Sequence, residues 1–170
     1  VMPDWIEAKA YEDITYHKAD GMARIAFNRP EVRNAFRPKT IDEMIDAFRN
    51  AWFDERIGVV LLTGNGPARD GKYAFCSGGD QKVRGEGGYV GADGVPRLNV
   101  LDLQMRIRYL PKPVVAMINN LGASAAFLIA LHADKIVAGR YSLVGSIGAI
   151  MAPWQLDRAI AKYDVSQRVY

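Results

Sequence analysis

An α/β domain with a largely parallel sheet is what this sequence predicts, and three observations carry the prediction. Strand-like and helix-like stretches alternate along the chain. Two of the strand-like stretches, IGVVLLTG and PVVAMI, are continuous apolar, β-branched runs, the pattern of strands covered on both faces. Finally, 49% of the 170 residues are hydrophobic and no internal repeat or low-complexity segment interrupts them, so one domain can bury its own core.

The elements follow in chain order. ITYHKADGMARIAF (14–27) holds two alternating runs around Asp20-Gly21, a strong hairpin signal, so the chain is expected to open with a β-hairpin. After the loop NRPEVRNAFRP a helix should start near Thr40, because Ile41, Met44, Ile45, Phe48 and Trp52 share one face and acids occupy its first turns. IGVVLLTG is the next strand, and 65–73 a polar loop. AFCSGGD reads as a short strand running into a glycine turn. The glycine-rich 85–94 is the flexible loop. A helix is expected over 98–110, then the strand PVVAMI, the small-residue helix GASAAFLIALHA and the strand KIVAG. PWQLDRAIAKY reads as an amphipathic helix and VSQRVY as the start of a strand. Met105, Leu110, Met117, Leu128 and Leu131 are assigned to the core, and Cys76 is expected to pack.

Composition excludes several functions. The 22 basic and 19 acidic residues leave a net charge of +3, but they are interleaved and form no basic stripe, so no nucleic-acid partner is expected. One cysteine and two histidines cannot assemble a disulfide or a Cys/His zinc cluster, and no metal is expected. The lone cysteine and the absence of an apolar leader or a ~20-residue apolar span suit a reducing, cytoplasmic setting.

Two features place backbone N–H groups within reach of a ligand. Ser77-Gly78-Gly79-Asp80 follows a strand, where a glycine pair turns the chain sharply and leaves amide hydrogens pointing outward. Gly122-Ala123-Ser124-Ala125-Ala126 follows PVVAMI, where small side chains allow close approach and a helix start adds unpaired amides. A carbonyl oxygen held between the two would be polarised. On spacing alone the plainer account, a tight turn and close helix–strand packing, has the stronger claim.

Longer strings carry a resemblance. NRPEVRNAFRPKTIDEM, IGVVLLTGNG, AFCSGGDQKVRGEGGY, LNVLDLQMRIR and PKPVVAM, all within residues 11–117, resemble the 1,4-dihydroxy-2-naphthoyl-CoA synthases, enzymes of menaquinone biosynthesis within the crotonase superfamily of enoyl-CoA hydratases and isomerases. The resemblance implies a crotonase/ClpP-like fold of repeated β-β-α units, a trimer-based homo-oligomer and a coenzyme A thioester as substrate, with no covalently bound cofactor. The implied reaction is ring closure of o-succinylbenzoyl-CoA by an intramolecular Claisen condensation through a stabilised enolate. Val32, Arg33 and Ala35 would lie along the CoA, with Ser77, Gly78 and Asp80 on the substrate side. The Gly79 amide would be an oxyanion donor, and Lys82, Arg84 and Tyr89 would belong to a loop closing over the substrate.

From about residue 118 the text is similar to the signal peptide peptidases (protease IV-like), serine peptidases of the same superfamily fold. That resemblance implies a peptide substrate, Ser124 as nucleophile, the Ala125 amide as oxyanion donor, Ser146 as the serine that orients a lysine, and the lysine itself beyond Tyr170. The two resemblances are in register, since the synthases place a glycine triplet at 124–126 and both families put a donor at Ala125. The sequence therefore reads as one incomplete crotonase-like domain over 1–170 with a chimeric seam near 117–119, neither active site being complete. The synthase resemblance covers more of the chain and gives the family label, with the peptidase and a catalytically silent fold fragment as alternatives.

Individual residues also have plainer readings. Ser124 without a base caps a helix, and Asp80 fixes its turn through Asx hydrogen bonds. Lys82 and Arg84 suit an anionic substrate carboxylate or a CoA phosphate, and otherwise are surface cations.

Overall fold

A computed structural model of the chain describes residues 3–85, 88–91 and 93–148. The helix and strand expected from residue 153 onward lie outside them.

The Asp20-Gly21 turn takes positive φ at both positions, 45° and 79°, which matches the twist of the strands it joins. Strands β2 (Ile14–Ala19) and β3 (Met22–Phe27) pair antiparallel in a register running from Ala19 opposite Met22 to Ile14 opposite Phe27. A strand the sequence did not announce, β1 (Ile6–Lys9), precedes them and pairs with β2. All four of its residues are exposed, so no alternation marked it.

Strands β4 (Val59–Gly64), β5 (Val114–Ile118) and β7 (Lys135–Ala138) extend the sheet in parallel, giving the order β1-β2-β3-β4-β5-β7. The expected strand at IGVVLLTG is thus present. Its burial nevertheless alternates, because only the face carrying Val60 and Leu62 is fully covered. A second, two-stranded parallel sheet joins β6 (Leu121–Ala123) to β8 (Leu143–Gly145). Residues 74–80 form no strand of their own. Cys76 bridges Gly122 and Gly79 bridges Phe36, one residue at a time.

Helix α1 (Pro38–Phe53) buries Ile41, Met44 and Phe48 against Ile14, Tyr16, Ile25, Phe27 and Leu62. It starts two residues before the expected Thr40. The acids expected to favour its dipole are absent from the first turn. Instead Thr40 accepts from the Arg37 amide (3.1 Å) and donates to Asp13 (2.6 Å), so the cap is a hydroxyl wired to the hairpin. Helices α2 (Gln81–Arg84), α3 (Val100–Tyr109) and α4 (Ala125–Ala130) follow. Helix α4 is shorter than expected, because 121–123 go into β6 and Ser124 takes φ 57°.

Leu110 and Cys76 are buried as expected, whereas Met105, Met117, Leu128 and Leu131 are exposed among the described residues. These four lie on helix and sheet faces that no described element covers. No described helix is long and apolar enough to cross a membrane.

Candidate active site

The glycine turn is zipped to the 33–36 loop by three backbone bonds. Ser77 N donates to Arg33 O (3.1 Å), Phe36 N to Gly78 O (2.9 Å), and Asp80 N to Phe36 O (2.8 Å). On its other side Cys76 is held by Leu121 and Ala123, through Cys76 N to Leu121 O and Ala123 N to Cys76 O, each 3.1 Å. The turn therefore sits between the NRP loop and the start of α4. Gly78 has φ 107°, and a Cβ there would press on Ser124 Cβ at 3.1 Å, so both backbone angle and space require glycine. Ser124 N donates to Gly145 O (2.8 Å), which holds residue 124 in its positive-φ conformation.

Gly79 and Ala125 meet at one cavity of about 170 Å³, together with Phe36, Gln81, Arg84, Tyr89, Leu98 and Ser124. Among the described residues neither the Gly79 nor the Ala125 N–H has a hydrogen-bond partner. The first orphan follows from geometry: the groups flanking Gly79 face Phe36, and its own amide is left over. The second follows from position, since Ala125 is the first residue of α4 and the opening amides of a helix have no intrahelical acceptor. None of the described lining residues is Asp, Glu or Lys. Larger open grooves exist, one of about 740 Å³ beside Lys9, Lys18 and Asp54, but Lys9 and Lys18 there are paired with Asp46 and Asp54.

The Tyr89 hydroxyl is buried without a partner among the described residues. Burial raises its pKa above the ordinary tyrosine value, opposed by the nearby Arg84 charge. Ser124 makes no capping bond with its side chain, contrary to the plainer reading of that serine. Asp80 does hold its turn, accepting from Lys82 N (3.1 Å) and Val83 N (3.4 Å). Cys76 is fully buried, and desolvation pushes its thiol up to about 12, which keeps it a packing residue.

Several named residues lie away from the cavity. Val32 ends a single 3₁₀ turn (Pro30–Val32), and its carbonyl faces Ser77 Oγ at 3.5 Å. Arg33 is half exposed and pairs with Asp70 (2.8 Å), so its guanidinium is already engaged. Ala35 is buried, and its carbonyl accepts from Arg29. Lys82 is exposed on α2 and does not line the cavity, whereas Arg84 does. Ser146 is exposed at φ 55° just past β8, and it too lies outside the lining.

The sequence profile of the enoyl-CoA hydratase/isomerase family matches residues 17–164. The chain belongs to the enoyl-CoA hydratase/isomerase family. The matched span includes residues 117–119. Among solved structures, an enoyl-CoA hydratase/isomerase from Xanthobacter autotrophicus Py2 is 29% identical with a TM-score of 0.69, covering 81% of this chain and 49% of that one. A probable enoyl-CoA hydratase from Mycobacterium smegmatis is also 29% identical, with a TM-score of 0.64 and coverage of 79% and 51%. A probable enoyl-CoA hydratase from Mycobacterium thermoresistibile is 27% identical, with a TM-score of 0.63 and coverage of 79% and 52%. The chain spans about half the length of these relatives. The fold is the crotonase type that the sequence led us to expect.

Two residues that build the frame of this cavity carried no expectation in the sequence. Asn34 is buried at φ 58°, accepts from Arg29 N (2.9 Å) and donates to Asn65 O and Ala74 O (both 2.8 Å), which ties the NRP loop to the segment entering the glycine turn. Arg29 reaches both Ala35 and Asp80. An Asn in a loop that needs positive φ was a readable signal, whereas the partners of Arg29 are fixed only by tertiary structure.

Proposed function

We propose that this chain binds an acyl-CoA thioester with its carbonyl oxygen between the Gly79 and Ala125 amides and stabilises the enolate formed from it. The observation that carries the reading is the pair of unpartnered N–H groups at one cavity. Two preorganised donors aimed at developing negative charge are worth several kcal/mol, roughly 10²–10³ in rate for each. Val32, Arg33 and Ala35 would flank the CoA, and Arg84 and Tyr89 would face the acyl group.

Within that chemistry we assign ring closure of the o-succinylbenzoyl-CoA type, as the resemblance of 11–117 to the naphthoyl-CoA synthases implies. Loss of the proton α to the thioester gives the enolate, and its carbon attacks the carboxyl carbon of the same substrate. A carbon–carbon bond forms, and the carboxyl C–OH bond breaks so that the OH leaves with a proton as water.

Calorimetry with a CoA thioester and infrared spectroscopy of its ¹³C-labelled carbonyl test the binding mode. A lowered carbonyl frequency on binding is expected, and binding without it would overturn the oxyanion assignment. Turnover of o-succinylbenzoyl-CoA tests the narrower one.

Ser124 supports a second reading, because it lines the same cavity and its side chain makes no capping bond to α4. Covalent labelling by a serine-directed phosphonate, lost in Ser124→Ala, would put peptide hydrolysis first.

A further inference from the structure

Arg29 sits two residues after β3 and outside the cavity lining, yet its guanidinium touches both chains that frame Gly79. Nη1 donates to Ala35 O (2.6 Å), on the residue before Phe36. Nη2 donates to Asp80 Oδ2 (3.0 Å), on the residue after Gly79. Nε lies 3.9 Å from Asp13 Oδ1, at the far end of the hairpin. The three side chains are 13%, 8% and 3% exposed, so these are sheltered charges rather than surface pairs.

We propose that Arg29 is the positioning residue that sets the direction of the Gly79 amide, by clamping the 35–36 chain to Asp80 across the glycine turn. This deepens the acyl-CoA reading and rests on it. The guanidinium is planar with donors at fixed spacing, so engaging Ala35 O and Asp80 Oδ2 together fixes the distance between the two chains. Those chains are also the ones joined by Phe36 N to Gly78 O and Asp80 N to Phe36 O. With both neighbours of Gly79 held toward Phe36, its own N–H has one direction left. Asp80 contributes separately, since its other oxygen, Oδ1, accepts from Lys82 N and Val83 N. The carboxylate thus joins the clamp to the helix that follows. A lysine at 29 keeps the charge but gathers its donors on one nitrogen, so it does not reproduce the fixed spacing of the guanidinium across the turn.

The test compares Arg29→Met, Arg29→Lys and the parent, all as the full 170-residue chain, by amide hydrogen exchange. Arg29→Met should speed exchange at Phe36 and Asp80 by roughly 10- to 100-fold, the range for losing a charge-assisted hydrogen bond, while Val60 and Phe75 stay as they were. Arg29→Lys should fall between. Unchanged exchange at 36 and 80, or an equal rise at all four positions, overturns the clamp. If Arg29→Met does not fold, Arg29→Lys and Asp80→Asn give the same comparison, each weakening the clamp. With a ¹³C-carbonyl thioester bound, Arg29→Met should lose most of the lowered carbonyl frequency while the calorimetric affinity for CoA itself holds. Loss of both together would make Arg29 a merely structural residue. A parent that shows no carbonyl shift removes the acyl-CoA reading, and the exchange pattern still decides the clamp.

Discussion

The hydroxyl of Tyr89 stands where a Cβ on residue 79 would be. Gly79 therefore differs from its neighbour. Gly78 is required by its φ of 107°, Gly79 only by the tyrosine above it.

This separates two substitutions. Gly79→Pro removes the N–H itself and should lower any thioester-dependent rate by about 10²–10³. Gly79→Ala keeps the N–H and displaces only the tip of Tyr89, so a loss under about tenfold is expected, with stability changed by about 1 kcal/mol or less. Rate measurements on the two folded variants check the order, and equal losses would count against the amide.

Alkaline pH should destabilise the fold through tyrosine. Tyr11 and Tyr16 are held well above the ordinary value, first by burial and then by nearby carboxylates (Asp46 for Tyr11, Asp54 and Asp46 for Tyr16), and Tyr89 is raised by burial. In the unfolded chain all three ionise near pH 10. The folded state keeps their protons longer, so this stability is whole below about pH 10 and is lost as pH rises through the folded values. Thermal midpoints taken from pH 8 upward should fall beyond about 10, and Tyr16→Phe should flatten that fall.

In the proposed function Arg33 would have to leave Asp70 to reach CoA. Both side chains are about half exposed, at 50% and 40%, so the pair itself adds at most about 1 kcal/mol. Asp70→Asn should leave stability within about 0.5 kcal/mol and strengthen CoA binding up to about fivefold. Calorimetry on the variant checks this, and an unchanged affinity would remove Arg33 from the CoA contacts.

Ser124 carries backbone strain at φ 57°, ψ −136°, close to a region that glycine alone occupies freely. Ser124→Gly should stabilise the chain by about 1 kcal/mol, and Ser124→Ala should not. Denaturant midpoints distinguish them. Thioester turnover should survive both changes, because the proposed donor is the amide of Ala125.

What was readable in the sequence was local. The Asp20-Gly21 hairpin and the Ile41/Met44/Phe48 face of α1 follow from turn chemistry and periodicity, and both are present. Strand β1 was hidden because four exposed residues carry no pattern, whereas the strand expected at AFCSGGD is reduced to a single bridge at Cys76. Leu128 and Leu131 show the limit of apolarity as a burial signal, since it does not say which face of a short helix finds a partner. At the site, the glycine pair and the small-residue helix start were visible, but their approach depends on Cys76 lying between Leu121 and Ala123, which no local rule supplies.

The strand order β1-β2-β3-β4-β5-β7 follows the order of synthesis. A growing chain can lay this sheet down from one edge, each emerging strand meeting a neighbour already in place. The cavity has no such stepwise route. Residues 33–36 and 77–80 can join early, yet the second amide arrives only with Ala125, after β5 has been added and Leu121 and Ala123 have closed on Cys76. On the ribosome the scaffold would therefore precede the site, and a chain halted before residue 121 would carry the sheet through β5 with half of an anion cradle.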